Sequence, residues 1–153
     1  MKSIIMSYIN KLHGYKTAVK NLHWSAKNMS EHKLCDDIID SIDKNEDEIA
    51  EICQGVHKQI KLNELKPIQY KISSTDKMLV DLLNDTKEFH SKLTNERYIG
   101  LRSVIESFMS EINKFQYLIR FCIKEDFKRN AKQRFNEGRI DRVITEQIKK
   151  YFN

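Results

Sequence analysis

The chain has 153 residues and a net charge of +5, with 40% hydrophobic and 32% charged residues. This length fits one domain that can bury a core without disulfides, and this composition excludes a disordered or collagen-like chain. With 4 glycines and 1 proline, the chain is also too poor in turn-forming residues for a β-sandwich or β-barrel.

Two long helices are predicted in the first third of the chain. In the first, over about residues 3–27, apolar residues recur every three or four positions: Tyr8, Leu12, Tyr15, Val19, Leu22 and Ala26. In the second, over about 31–56, Ser30 is the expected N-cap. Its apolar stripe comprises Leu34, Ile38, Ile42, Ile49, Ile52 and Val56.

Two further helices follow a connection over residues 57–74, where Pro67 blocks a continuous helix. The third is predicted over 76–93, with Ser73, Ser74 or Thr75 as its cap. The fourth has the most regular pattern, a heptad seam that suits a bundle core. The seam comprises Leu101, Ile105, Phe108, Ile112, Phe115, Ile119 and Cys122.

The last thirty residues, 124–153, differ in charge from the rest. They hold nine Lys or Arg against five Asp or Glu, a net charge of +4. A break is expected at Asn136–Gly138, followed by a short amphipathic helix that carries Ile140, Val143, Ile144 and Ile148. We therefore predict an all-α antiparallel four-helix bundle over 1–123 and a basic, helical C-terminal extension over 124–153.

The second helix carries two opposed faces. At about 100° per residue, the apolar stripe occupies one side, and the opposite side gathers one imidazole and five carboxylates: His32, Asp36, Asp40, Asp43, Asp47 and Glu51. One interpretation is a solvated acidic face. The other is a metal site, because a divalent cation would relieve the repulsion among the carboxylates and the His32/Asp36 and Asp47/Glu51 pairs lie at i, i+4.

Mixed imidazole and carboxylate ligands suit iron, manganese or zinc. Because this face points away from the subunit's own core, a site built on it would need a second subunit, which favours a homo-oligomer with metal at a two-fold interface. His23 and Trp24 precede this helix. Taken alone, His23 is typical of a partly buried structural histidine, and Trp24 of core or interface packing.

The order of these residues resembles a known family. The segment "NLHWSAKNMSEHKLCDDIIDSIDKNEDEIAE" is similar to the Dps branch of the ferritin-like superfamily, the miniferritins or DNA-binding proteins from starved cells. Their pattern is His-Trp near the end of the first helix, His-x3-Asp at the start of the second, and Asp-Glu-hydrophobic-Ala-Glu after that. Occupants of each position are present here: His23-Trp24, His32, Asp36 and the segment Asp47–Glu51.

This resemblance implies a ferritin-like bundle and a ferroxidase site between two-fold-related subunits. One subunit would supply His23, His32 and Asp36, and its neighbour Asp47 and Glu51. Two iron(II) ions would be oxidised there by hydrogen peroxide or dioxygen, with zinc or manganese as substitutes, and Trp24 would intercept oxidising equivalents. The family stores ferric oxide in a shell of twelve subunits; the connections after Trp24 and after Glu51 are shorter here, which bears on the shell more than on the metal site.

The basic extension has two interpretations. It could contact DNA without sequence preference, as tails do in some Dps proteins, through Lys128, Arg129, Lys132, Arg134, Arg139 and Arg142. Alternatively, it is a surface helix whose apolar face docks on the bundle or on a neighbour. The sequence thus leaves two functions open: an iron-storing ferroxidase that protects against oxidative damage, or a non-catalytic bundle module that binds DNA or a protein.

The remaining motifs are few. No uncharged run is long enough for a membrane span or a secretory signal, and the three cysteines form no CxxC pair and are expected to be buried thiols. We therefore expect the cytoplasm, the nucleoid if the chain binds DNA, or a host cytoplasm if it is viral. His13, His57 and His90 have no ligand partner at helical spacing and stay unassigned.

Overall fold

A computed structural model of the chain describes the backbone of residues 1–57, 59–61 and 64–151, with side chains up to 124 within these ranges and at 128 and 130–133. The described chain is all helical, apart from its connections. Its helices are α1 (Lys2–Trp24), α2 (Met29–Val56), α3 (Thr75–Ser91) and α4 (Ile99–Tyr151), and a 3₁₀ turn (Glu96–Tyr98) precedes α4. The predicted all-α four-helix bundle is confirmed.

The four helices form a square in which each packs against two neighbours. α1 contacts α2 and α3, and α4 contacts the same two helices. Neighbours run antiparallel: Asn28 at the start of α2 lies against Cys122 of α4, and Val56 at its end lies against Arg97, just before α4. The diagonal pair α2 and α3 is therefore parallel, so the connection between them must travel the length of the bundle, which is the topology of a bundle with one long crossover.

Hydrogen bonds and a ring contact join this crossover to α1. The backbone N–H groups of Lys66 and Ile68 donate to the side-chain and main-chain oxygens of Asn10, at 2.7 and 3.2 Å. Further along, the Tyr70 ring stacks on that of Tyr15 with 4.2 Å between the centroids. At Gly14 the backbone of Ile68 comes so close that there is no space for a side chain.

The core is built from the predicted stripes. The α1 residues from Tyr8 to Leu22 in the predicted stripe are buried, as is every residue of the α4 seam except Phe115, which is partly buried. The cap of α3 is Ser74, as expected, but that of α2 is Asn28 rather than Ser30, because the Asn28 side chain accepts from the Glu31 N–H at 2.8 Å. α2 therefore begins earlier than predicted.

α4 continues without interruption to Tyr151. The predicted break at Asn136–Gly138 and the separate fifth helix are therefore wrong, and the helix runs through the expected boundary at residue 123. Cys122 is the last buried residue of α4 among those described, and the described side chains from 124 onward are exposed. The side chains of Ile140, Val143, Ile144 and Ile148 lie outside the described residues.

Within the described part of the chain, no helix combines the length and apolarity that a membrane crossing requires.

Candidate metal centre

The turn between α1 and α2 brings two histidines together. α1 ends at Trp24, where the Ser25 hydroxyl donates to the Asn21 carbonyl at 3.0 Å. Asn28 then caps α2 only four residues further on. His23 therefore lies in the last turn of α1 and His32 in the first turn of α2, with their ring centroids 3.8 Å apart.

Asp36, one turn further along α2, completes the cluster. Its Oδ1 lies 3.0 Å from Nε2 of His23. One ligand atom from each of His23, His32 and Asp36 lies within 4.8 Å of the other two, and no other group of this kind occurs among the described residues. The His23 side chain is 11% exposed and that of Asp36 51%, so the cluster is buried on one side and open to solvent on the other.

The tautomer of His32 follows from its surroundings. Its Nδ1 lies 3.2 Å from the backbone carbonyl oxygen of His23. A carbonyl oxygen can only accept, so Nδ1 must carry the proton and donate it. The lone pair on Nε2 is then free, which is the arrangement that a histidine ligand needs: one nitrogen held by a backbone carbonyl and the other available to a metal.

His23 presents the opposite case, a buried ring without a hydrogen bond. Neither of its nitrogens is exposed, and neither has a hydrogen-bond partner, because the Asp36 contact lacks hydrogen-bonding geometry. Buried polar atoms are nearly always satisfied, so an orphaned imidazole needs an explanation. A cation bound between His23, His32 and Asp36 would supply one, and two imidazoles with one carboxylate form the donor set typical of non-haem iron(II) sites.

The structure does not bring Asp47 and Glu51 into this cluster. Both are exposed on α2. Asp47 is eleven residues beyond Asp36, which corresponds to about 16 Å along the helix axis. Within one chain they cannot bind the same ion as His23 and His32.

Contacts between basic and acidic side chains of α1 and α2, the seam contacts, continue below the cluster. Lys16 Nζ lies 2.6 Å from Asp43 Oδ1, and His13 Nδ1 contacts Glu46 Oε1. Both contacts keep the register of His23 and Asp36. From His23 and from Asp36, the next contact lies seven residues along each helix, and the one after it lies three residues further. The contact between His13 and Glu46 joins two helices, so the spacing of residues within one helix does not predict it, whereas the antiparallel register of α1 and α2 does.

Two large apolar residues that are close in sequence to the cluster residues are exposed. Trp24 is 71% exposed and Met29 66%. Packing of Trp24 in the subunit's own core, one of its two expected roles, is therefore wrong. Trp24 directly follows His23 in the chain, and Met29 precedes His32 by three residues.

The thiols do not take part. Cys35, Cys53 and Cys122 are buried, as expected, and none of them forms a disulfide. Burial raises the pKa of the Cys35 thiol to about 11, so it stays protonated at neutral pH, whereas a thiol must be a thiolate to act as nucleophile or ligand.

The other unassigned histidines have partners outside the cluster. His57 Nε2 lies 3.0 Å from the Tyr98 hydroxyl, and His90 Nε2 lies 2.9 Å from Glu106 Oε1. Both contacts join α2 or α3 to the region at or just before α4, and neither includes a third ligand. We assign them to holding the bundle together.

Two of the basic residues proposed to contact DNA, Lys128 and Lys132, are exposed on α4. The side chains of Arg129, Arg134, Arg139 and Arg142 lie outside the described residues. The helix thus presents the first part of the basic extension to solvent.

Comparisons of the chain with protein-family models, with curated proteins and with solved structures give no match.

Proposed function

We propose that the chain is an iron-binding ferroxidase of the Dps type, which oxidises iron(II) with hydrogen peroxide or dioxygen and holds the ferric product. The observation that carries this proposal is the convergence of His23, His32 and Asp36 at the open edge of the α1–α2 seam. Iron is the substrate. The likeness of the chain to the Dps pattern rests on the residues at these positions.

The cluster fits iron(II) through the chemistry of its donors. The Nε2 lone pair of His32, the imidazole of His23 and the Asp36 carboxylate would occupy one side of the ion and leave positions open to an oxidant. In the reaction, two iron(II) ions give up one electron each, and one hydrogen peroxide takes both electrons and two protons to give two waters. With dioxygen, the same two electrons and two protons give hydrogen peroxide.

A second subunit would complete the site by two-fold symmetry. Asp36 and Asp47 are equally far along α2 from the midpoint between Ser41 and Ile42, and so are His32 and Glu51. A single two-fold axis at that midpoint would therefore set the partner's Asp47 level with Asp36 and the partner's Glu51 level with His32. One two-fold rotation would therefore place both of the partner's acidic residues, Asp47 and Glu51, as an isologous interface requires.

Charge repulsion and exposed apolar side chains both bear on the same interface. The axis would also set Asp40 level with the partner's Asp43, and Lys16, 2.6 Å from Asp43, offsets the repulsion between these carboxylates. Trp24 and Met29, which lie close in sequence to His23 and His32, have exposed apolar side chains that such an interface could bury. Trp24, directly after His23, is the residue that we assign to intercepting oxidising equivalents.

The decisive experiment compares two neighbouring aspartates. Asp36→Asn removes the anionic ligand, whereas Asp37→Asn makes the same change one residue further round the exposed surface of α2. We expect the wild type and D37N to bind iron(II) in an anaerobic calorimetric titration and to form ferric product rapidly when peroxide is added. D36N should show at least tenfold weaker iron(II) affinity and oxidise iron no faster than buffer does. Equal affinities in all three proteins would rule out the cluster as the iron site.

A second candidate function is a non-catalytic bundle module that binds DNA or a protein. The observation that favours it is the row of seam contacts, because His23 and Asp36 could be one more pair of this row and serve only to join α1 to α2. In that case the wild type would bind no iron(II), and D36N would lower the free energy of unfolding without any effect on metal.

A further inference from the structure

One side of α4 combines aromatic rings with lysines where the helix leaves the bundle. Six described residues form this aromatic–basic stripe: Lys114, Tyr117, Phe121, Lys124, Lys128 and Lys132. At about 100° per residue they fall within an arc of about 80° on the helix. All six side chains are exposed, so the stripe is not part of the bundle core.

The two aromatic residues are already arranged as a platform. Tyr117 is 60% exposed and Phe121 46%, yet they lie in edge-to-face contact, with 4.9 Å between the ring centroids and an interplanar angle of 70°. Lys124 Nζ lies 5.8 Å from the centre of the Phe121 ring, within the range of a cation–π contact. These contacts already limit the conformational freedom of the Tyr117, Phe121 and Lys124 side chains. Binding of a ligand would therefore cost less conformational entropy.

The lysines define the charge of the ligand. Lys124, Lys128 and Lys132 follow one another every four residues, about 6 Å apart along the helix. Such a row of like charges opposes pairing of this stripe with the same stripe of a second copy. It instead matches a ligand with regularly spaced anionic groups, and the exposed rings match a ligand with flat π-systems.

We propose that the aromatic–basic stripe binds single-stranded nucleic acid, with bases stacked on Tyr117 and Phe121 and phosphates paired with the lysines. Stacking distinguishes a single strand from a duplex, because the bases of a duplex are already stacked on one another and offer only phosphates to a helix surface. This binding is independent of the iron site, since no stripe residue belongs to the metal cluster.

The test measures binding of a fluorescent 20-nucleotide oligothymidylate by anisotropy, with the iron-free full chain and a chelator present. A duplex of the same length is the competitor. We expect the single strand to bind more tightly than the duplex. Tyr117→Leu and Phe121→Leu keep apolar side chains but remove the π faces, and each should weaken single-strand binding about fivefold or more while leaving duplex binding unchanged.

Lysine variants test the electrostatic half of the proposal. Replacing Lys124, Lys128 and Lys132 together with Gln should lower the log–log salt slope by roughly 0.7 for each phosphate that no longer pairs with a lysine. A matched control replaces three exposed lysines elsewhere, Lys20, Lys77 and Lys87, and should keep the wild-type slope.

Three outcomes would overturn the proposal. The first is equal binding by the wild type and the two leucine variants, and the second is tighter binding of the duplex. The third is salt-dependent self-association of the chain that sedimentation detects and that the Lys→Gln triple variant abolishes. In that case the stripe would bind the acidic α2 face of a second copy rather than nucleic acid.

Discussion

At the scale of single residues, the position of a backbone carbonyl decides which atom of the candidate site can bind metal. The His23 carbonyl fixes the proton of His32 on Nδ1 and so frees Nε2. The sequence could suggest His23, His32 and Asp36 from spacing, but not this tautomer or the orphaned nitrogens of His23. Both depend on the distance between the start of α2 and the end of α1. The spacing of residues within each helix does not predict that distance.

Asp47 and Glu51 allow a test of the shared site at the same scale. Replacing both with Ala should abolish rapid iron(II) oxidation, because the partner's half of the site would be removed. Both side chains are exposed and away from the core, so helical content by circular dichroism should not change and the free energy of unfolding should shift by no more than about 0.5 kcal/mol.

The charge-matched control for this pair is the double variant Asp37→Ala, Glu48→Ala, which removes one Asp and one Glu from exposed positions of the same helix. It should oxidise iron at the wild-type rate. If the Asp47/Glu51 variant does the same, these two residues are not ligands and the site is not shared in the way we propose.

At the scale of helices, periodicity predicted the elements well, and their ends less well. Most residues of the predicted stripes are buried, and the others are partly buried, because repeats of three and four residues place them on one face of each helix. The ends depend on single contacts, as the Asn28 cap of α2 shows. Gly138 was expected to end a helix, but one glycine costs only about 1 kcal/mol in a helix interior, and α4 continues through it.

The crossover between α2 and α3 supplies a prediction at this scale. A methyl group at Gly14 would overlap the Ile68 carbonyl oxygen and lie 2.9 Å from the Tyr70 ring. We expect Gly14→Ala to push the crossover away from α1 and lower the free energy of unfolding by about 1–3 kcal/mol, as overpacking does. The measurement is urea unfolding followed by circular dichroism.

Gly55→Ala provides the control, since no heavy atom lies within 4 Å of the added methyl group. Alanine is the better helix former, so this change should raise stability by up to about 1 kcal/mol. A Gly14→Ala protein as stable as Gly55→Ala would mean that the crossover does not pack tightly on α1.

At the scale of the whole molecule, both proposed activities lie toward one end of the bundle. The metal cluster is at the α1–α2 turn, and α4 leaves the bundle beside it, where Asn28 Nδ2 donates to the Cys122 carbonyl at 3.4 Å. The sequence predicted a bundle and a basic extension as separate parts. It did not predict that one helix forms both, because the largely polar residues beyond Cys122 do not continue the apolar seam of α4.

A chain ending at Lys124 would separate iron oxidation from any binding of duplex DNA by the basic extension. Each proposed iron ligand lies before residue 52, and the last described buried residue of α4 is Cys122. We therefore expect the shortened chain to fold and to oxidise iron(II) at the full-length rate. It lacks Lys128, Arg129, Lys132, Arg134, Arg139 and Arg142. We expect the full chain to retain duplex DNA in a gel shift at low salt, through phosphate contacts worth roughly 0.9 each in the log–log salt slope, and the shortened chain to release it. Equal retention by the two proteins would exclude the extension as the DNA contact, and retention by neither would leave the extension with no DNA-binding role.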